Sequence, residues 1–64
     1  MTTSGRILHM RRLAGLTQLQ AAKGMGWKGA QTWYQYENGI KRPGYAVIVR
    51  MARVLDCDPG ELFD

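Results

Sequence analysis

The sequence predicts an all-α fold, a compact bundle of five short helices. Three observations predict it. Breaks at Gly15, Gly26-Trp27-Lys28-Gly29, Asn38-Gly39, Pro43-Gly44 and Asp58-Pro59 cut the 64-residue chain into short segments. No period-2 alternation survives beyond a few residues between these breaks, which argues against strands. Apolar residues recur instead at the spacing of a helix face.

The first helix is expected over about 4–14, with Ile7, Met10 and Ala14 on one side, Thr3 or Ser4 as cap, and Gly15 as its stop. The second covers about 18–25. Thr17-x-x-Gln20 matches a capping box, and Gln18, Ala21, Ala22 and Met25 share one side. Gly24 inside it costs about 1 kcal/mol relative to Ala, so a short or distorted end is expected. The third spans about 30–38, between Gly29 as a weak N-cap and Gly39 as a left-handed C′ residue. The fourth covers about 45–55, with Tyr45, Ile48, Ala52 and Leu55 as its stripe, widened by Val49 and Met51. A last turn, about 59–63, opens with Asp58 as cap, Pro59 at N1 and Glu61 at N3.

Length and composition bound what such a bundle can do. A chain of 64 residues suits a single domain over 1–64, and it buries only about 60 % of the surface its unfolded form exposes. One Cys and one His make neither an intrachain disulfide nor a four-ligand Cys/His zinc cluster. The longest apolar run, Ala46-Val47-Ile48-Val49, falls far short of the ~20 residues of a membrane span. The start of the chain has no apolar signal region, and a lone Cys57 suits a reducing compartment, so a cytoplasmic protein is expected. No acid–base or nucleophilic constellation is present, so no enzyme activity and no metal or cofactor is expected.

Charge is segregated. Residues 1–55 hold all nine Lys and Arg and one acid, Glu37, for a net +8, while Asp56, Asp58, Glu61 and Asp64 make the end −4. A basic body with an acidic end fits a polyanionic partner, nucleic acid or an anionic membrane surface, as well as an ordinary solvated surface.

The third helix sorts into two faces. Gln31, Tyr34 and Gln35 lie on one side; Trp33, Tyr36 and Glu37 lie on the side that must meet the core. A buried carboxylate needs a cation, and Arg11, beside Met10 on the first helix, is placed to supply one. Two glutamine amides one turn apart offer donor and acceptor together, the pattern that matches N6 and N7 of adenine in the major groove, worth about 1–3 kcal/mol of discrimination. By itself the pair also fits an ordinary exposed helix face. A short small-faced helix, a Gly-containing turn and an amphipathic helix in succession are the pattern of a helix-turn-helix.

Gly15-Leu16-Thr17-Gln18, Ala22, Gly26, Tyr36-Glu37-Asn38-Gly39, Pro43 and Asp58-Pro59-x-Glu61-Leu62 resemble the Cro/cI-type, lambda repressor-like helix-turn-helix family of phage and bacterial repressors, over about residues 6–63. The resemblance implies a third helix in the major groove and a homodimer on a palindromic operator. It puts Ala30, Gln31 and Gln35 where family members read bases, with Tyr34 beside them. It puts Gln18 where a glutamine meets phosphate at a helix N-terminus, and Lys41 and Arg42 in a loop along the DNA backbone. It also implies an Arg11–Glu37 ion pair. Lys28 in the turn is a further phosphate candidate, and Leu55, Cys57, Leu62 and Phe63 are candidates for the dimer surface, Leu62 being equally suited to closing the core.

Three features depart from the family pattern. The turn through Trp27, Lys28 and Gly29 is one residue longer than usual, which puts assignments from Lys28 to Gln31 at risk of a one-residue slip. Ala21 stands where a larger aliphatic is usual, and Trp33 and Tyr36 where Ile or Leu are usual; small residues on one helix then admit two large rings from the next. Lys23, Arg6 and Arg12 are weaker phosphate candidates. His9 is expected exposed, and Cys57, between two acids, inert. The function expected is sequence-specific double-stranded DNA binding by a small transcriptional repressor. The alternatives are a protein-interaction module or an antitoxin on the same fold.

Overall fold

The computed structural model describes residues 2–63. Four α-helices follow one another: α1 (Thr3–Leu13), α2 (Gln18–Gly24), α3 (Gln31–Glu37) and α4 (Tyr45–Leu55). The fifth expected helix is a single 3-10 turn, Pro59–Glu61, and there is no strand among the described residues. Two i→i+3 backbone bonds close the turn, from the Glu61 N–H to the Asp58 carbonyl at 2.9 Å and from the Leu62 N–H to the Pro59 carbonyl at 3.0 Å, and Asp58 makes no side-chain cap bond.

Local chemistry sets the boundaries. Thr2, rather than Thr3 or Ser4, caps α1, its Oγ1 accepting from the Gly5 N–H at 3.1 Å. The helix ends at Leu13, and Ala14 is an exposed C-cap instead of a core position. The capping box of α2 is complete: the Gln20 N–H donates to Thr17 Oγ1 at 3.0 Å and the Thr17 N–H donates to Gln20 Oε1 at 2.8 Å. Met25 is the cap beyond α2, and Gly26 follows at φ +87°, a conformation an L side chain resists. The Gly26 and Trp27 N–H groups then bond back to the Lys23 and Ala22 carbonyls at 2.9 and 3.0 Å, a Schellman ending that opens the turn toward α3.

In α3 the cap is Ala30, not Gly29, and it makes no side-chain bond; its carbonyl accepts the Tyr34 N–H at 2.8 Å. Gly39, at φ +71°, closes the far end with the Ile40 N–H on the Gln35 carbonyl at 3.0 Å. The bounds of α4 match expectation. Its stripe does not include Tyr45, which is 71 % exposed and stacks on Phe63 with ring centroids 5.9 Å apart.

The core joins Ile7 of α1, Ala21 and Ala22 of α2, Trp33 and Tyr36 of α3, and Ile48, Met51, Ala52 and Leu55 of α4. Trp33 is fully buried beside the two alanines' helix, the exchange of bulk between α2 and α3 that the sequence implies. Leu62 is fully buried and Leu55 nearly so, so both close the core and neither side chain is available to a partner, contrary to their expected place on a dimer surface. Gly24 has a reason that propensity does not reveal. A Cβ there would lie 2.9 Å from Val54 Cγ1, so its bare backbone lets the end of α2 approach α4. Arg50 of α4 also donates to the Met25 carbonyl at 2.5 Å, pinning the start of the turn.

Candidate nucleic-acid interface

The inner face of α3 is anchored before its outer face can serve. Glu37, the last residue of the helix, is buried, and its side chain is only 2 % exposed. Four N–H donors converge on it. Arg11 Nε reaches Oε2 at 2.5 Å and Nη2 reaches Oε1 at 3.2 Å; Gln18 Nε2 reaches Oε1 at 3.0 Å; and the Trp33 indole N–H donates to Oε2. Arg11 Nη1 also donates to the Leu16 carbonyl at 2.8 Å. Burial pushes the Glu37 carboxyl up, but the hydrogen bonds from Arg11, Gln18 and Trp33 and the Arg11 charge outweigh it and hold the carboxyl below its ordinary value. The Arg11–Glu37 pair anticipated from burial is thus the centre of a larger network that joins α1, α2 and α3.

With that face fixed inward, α3 turns Gln31 and Tyr34 to solvent, Tyr34 being 48 % exposed, while Gln35 and Ala30 are half-buried. Positions 31, 34 and 35 share one helical face. The chain leaving α3 stays beside it: the Lys41 N–H bonds to the Gln35 carbonyl at 3.2 Å. Lys41 and Arg42 are exposed and line a cleft of about 180 Å³ with Thr2, Thr3 and Ser4 at the start of α1. Lys28 is exposed in the turn before α3, and Trp27 in the same turn stacks on Tyr36 at 6.1 Å. Gln18 is half-buried, with its amide nitrogen engaged by Glu37. Sequence reasoning did not find the Gln18–Glu37 and Trp33–Glu37 bonds. The second leaves a faint trace, since Trp33 and Glu37 are four apart on one helix; the first depends on how two helices pack.

Of the residues expected at a dimer surface, Phe63 is 39 % exposed and Cys57 half-buried. Burial, then Glu61, Asp58 and Asp56, push the Cys57 thiol up, so it holds its proton. His9 is exposed on α1. Among the described residues no group of three or more His, Cys, Asp or Glu could hold a metal ion, and no helix is long and apolar enough to cross a membrane.

A family model described as "Helix-turn-helix domain" matches residues 5–64, and the chain belongs to that family of DNA-binding domains. The Cro/cI-type resemblance of its motifs agrees with that membership. No curated protein and no solved structure matches the chain.

Proposed function

We propose that the chain is a sequence-specific regulator of transcription that lays α3 in the major groove of an operator. Gln31, Tyr34 and Gln35 meet base edges, with Ala30 against the groove wall. Lys28, Lys41 and Arg42 neutralise phosphates, and Gln18 adds a contact from the start of α2. One observation carries this reading: a helix buries Trp33 and Glu37 on one side and turns Gln31 and Tyr34 outward on the other, and the Lys41 backbone N–H, bonded to the Gln35 carbonyl, holds the segment with the exposed cations Lys41 and Arg42 beside its end. Phosphate neutralisation supplies much of the affinity and the glutamines the selectivity.

The regulator acts as a repressor by occupancy, a bound homodimer denying the site to polymerase. The exposed Tyr45–Phe63 stack, with Cys57 nearby in sequence, is the surface on which two copies meet near the C-terminal end. Selection of random duplexes with the purified chain tests the reading. The expected outcome is an enriched palindrome with half-site centres about 34 Å apart. No enrichment over unselected DNA at moderate salt would refute it.

A further inference from the structure

Little within α3 fixes its own rotation. It has 7 residues, and its cap, Ala30, offers no side-chain bond. A helix of about two turns is not stable in isolation, so its orientation depends on what its inner face grips. Glu37 is gripped at the end of the helix by Arg11 and Gln18 from the two preceding helices. At the third of its 7 residues, α3 inserts the indole of Trp33 into the core. Its ring is fully buried, and its N–H ends on Glu37 Oε2 one turn along the same helix.

An all-carbon ring of the same shape would fill the same space. The N–H adds direction: it selects the ring orientation that faces the carboxylate and occupies Oε2 together with Arg11, leaving Oε1 to Gln18 and the second Arg11 nitrogen. Without it the Arg11–Glu37 pair persists and the last residue of α3 stays anchored, but no polar contact selects the orientation of the buried ring through which the helix seats on the core. Gln31, two residues before Trp33, lies in that first turn; Gln35 lies nearer the retained anchor.

We propose that Trp33 is a positioning residue for DNA selectivity, its indole N–H fixing through Glu37 the angle at which the first turn of α3 presents Gln31. The proposal rests on the base-reading function given above. Base contacts demand placement within about 0.5 Å, a tolerance that a loosely held two-turn helix does not meet.

The test replaces Trp33 with 3-benzothienylalanine, which keeps the fused-ring shape and lacks the N–H. Affinity for a selected operator and for a scrambled duplex is measured at one salt concentration, alongside thermal unfolding. The operator affinity falls about fivefold, the equivalent of one hydrogen bond, while the scrambled affinity changes less than about twofold. The loss concentrates at the base pair that Gln31→Ala also relaxes. An unchanged operator-to-scrambled ratio, or two affinities falling in parallel with the folded fraction, overturns the proposal. Hydrogen exchange in the unmodified chain tests it without any substitution: the Trp33 indole proton exchanges far more slowly than that of half-buried Trp27, and equal rates overturn the proposal. A chain with no sequence preference at all removes the base-reading function and this proposal together, whereas a preference that the analogue retains removes the proposal alone.

Discussion

Gln18 Nε2 donates to Glu37 Oε1 at 3.0 Å, tying the first residue of α2 to the last residue of α3. The bond spans the two helices on either side of the turn, so their relative placement is set by a polar contact as well as by ring-to-alanine packing. It also gives Gln18 a structural task on its inner side, whatever its amide meets outside.

The Glu37 network predicts a definite acid response. In the folded chain the carboxyl is held below 4.5, its ordinary value. Its contribution is therefore complete above that value and is lost as pH falls through the lower, folded-state value. Glu37→Gln lowers stability by about 3 kcal/mol at neutral pH, because it leaves Arg11, whose side chain is only 12 % exposed, without its charged partner. The gap between the two chains narrows as the solution is acidified below 4.5. Urea unfolding across a pH series checks this, and a gap constant from neutral pH into strong acid contradicts it.

Gly24→Ala tests the close approach of α2 to α4. Alanine improves helix propensity by about 1 kcal/mol. Its Cβ, however, meets the stiff Val54 side chain at 2.9 Å, and overpacking of this kind costs about 1–3 kcal/mol. The single variant is destabilised by about 1 kcal/mol. On a Val54→Ala background the same change becomes neutral or stabilising. A double-mutant cycle in urea measures the reversal; additive effects contradict the close approach.

Cys57 is predicted to be a poor nucleophile. Its thiol is raised above 9.0 by burial and by Glu61, Asp58 and Asp56, so alkylation of the folded chain is slow near neutral pH and climbs only at strongly alkaline pH. The pH profile of the iodoacetamide rate measures this. A midpoint below 9.0 contradicts the environment described.

Much of this was legible in the sequence, and the parts that were not share a cause. The Thr17–Gln20 capping box and the span of α4 depend on residues close together in the chain, where cap chemistry and periodicity decide. The inward side of α3 was legible because Trp33, Tyr36 and Glu37 recur at helical spacing. Other features arise only when distant segments meet: Val54 explains Gly24, Phe63 draws Tyr45 off the core stripe, and the burial of Leu55 and Leu62 removes them from the surface. The cap at Thr2 was missed for a different reason, since three adjacent hydroxyl residues compete and only the reach to the Gly5 N–H selects one.

Phosphate contacts and base contacts separate by their salt response. Lys41→Ala or Arg42→Ala weakens binding to all duplexes alike and lowers the slope of log affinity against log salt by about 0.9 for each phosphate no longer neutralised. A titration series in salt decides, and weakening confined to one operator sequence contradicts the assignment.

The most direct test of the account is a titration of Gln31→Ala and the unsubstituted chain against a selected operator and its single-base variants. The variant is expected to lose about 1–3 kcal/mol of discrimination at one base pair per half-site, with preference elsewhere and affinity for random DNA retained. Identical base preferences for the two chains, at Gln31 and likewise at Gln35, would show that the outer face of α3 does not read the groove.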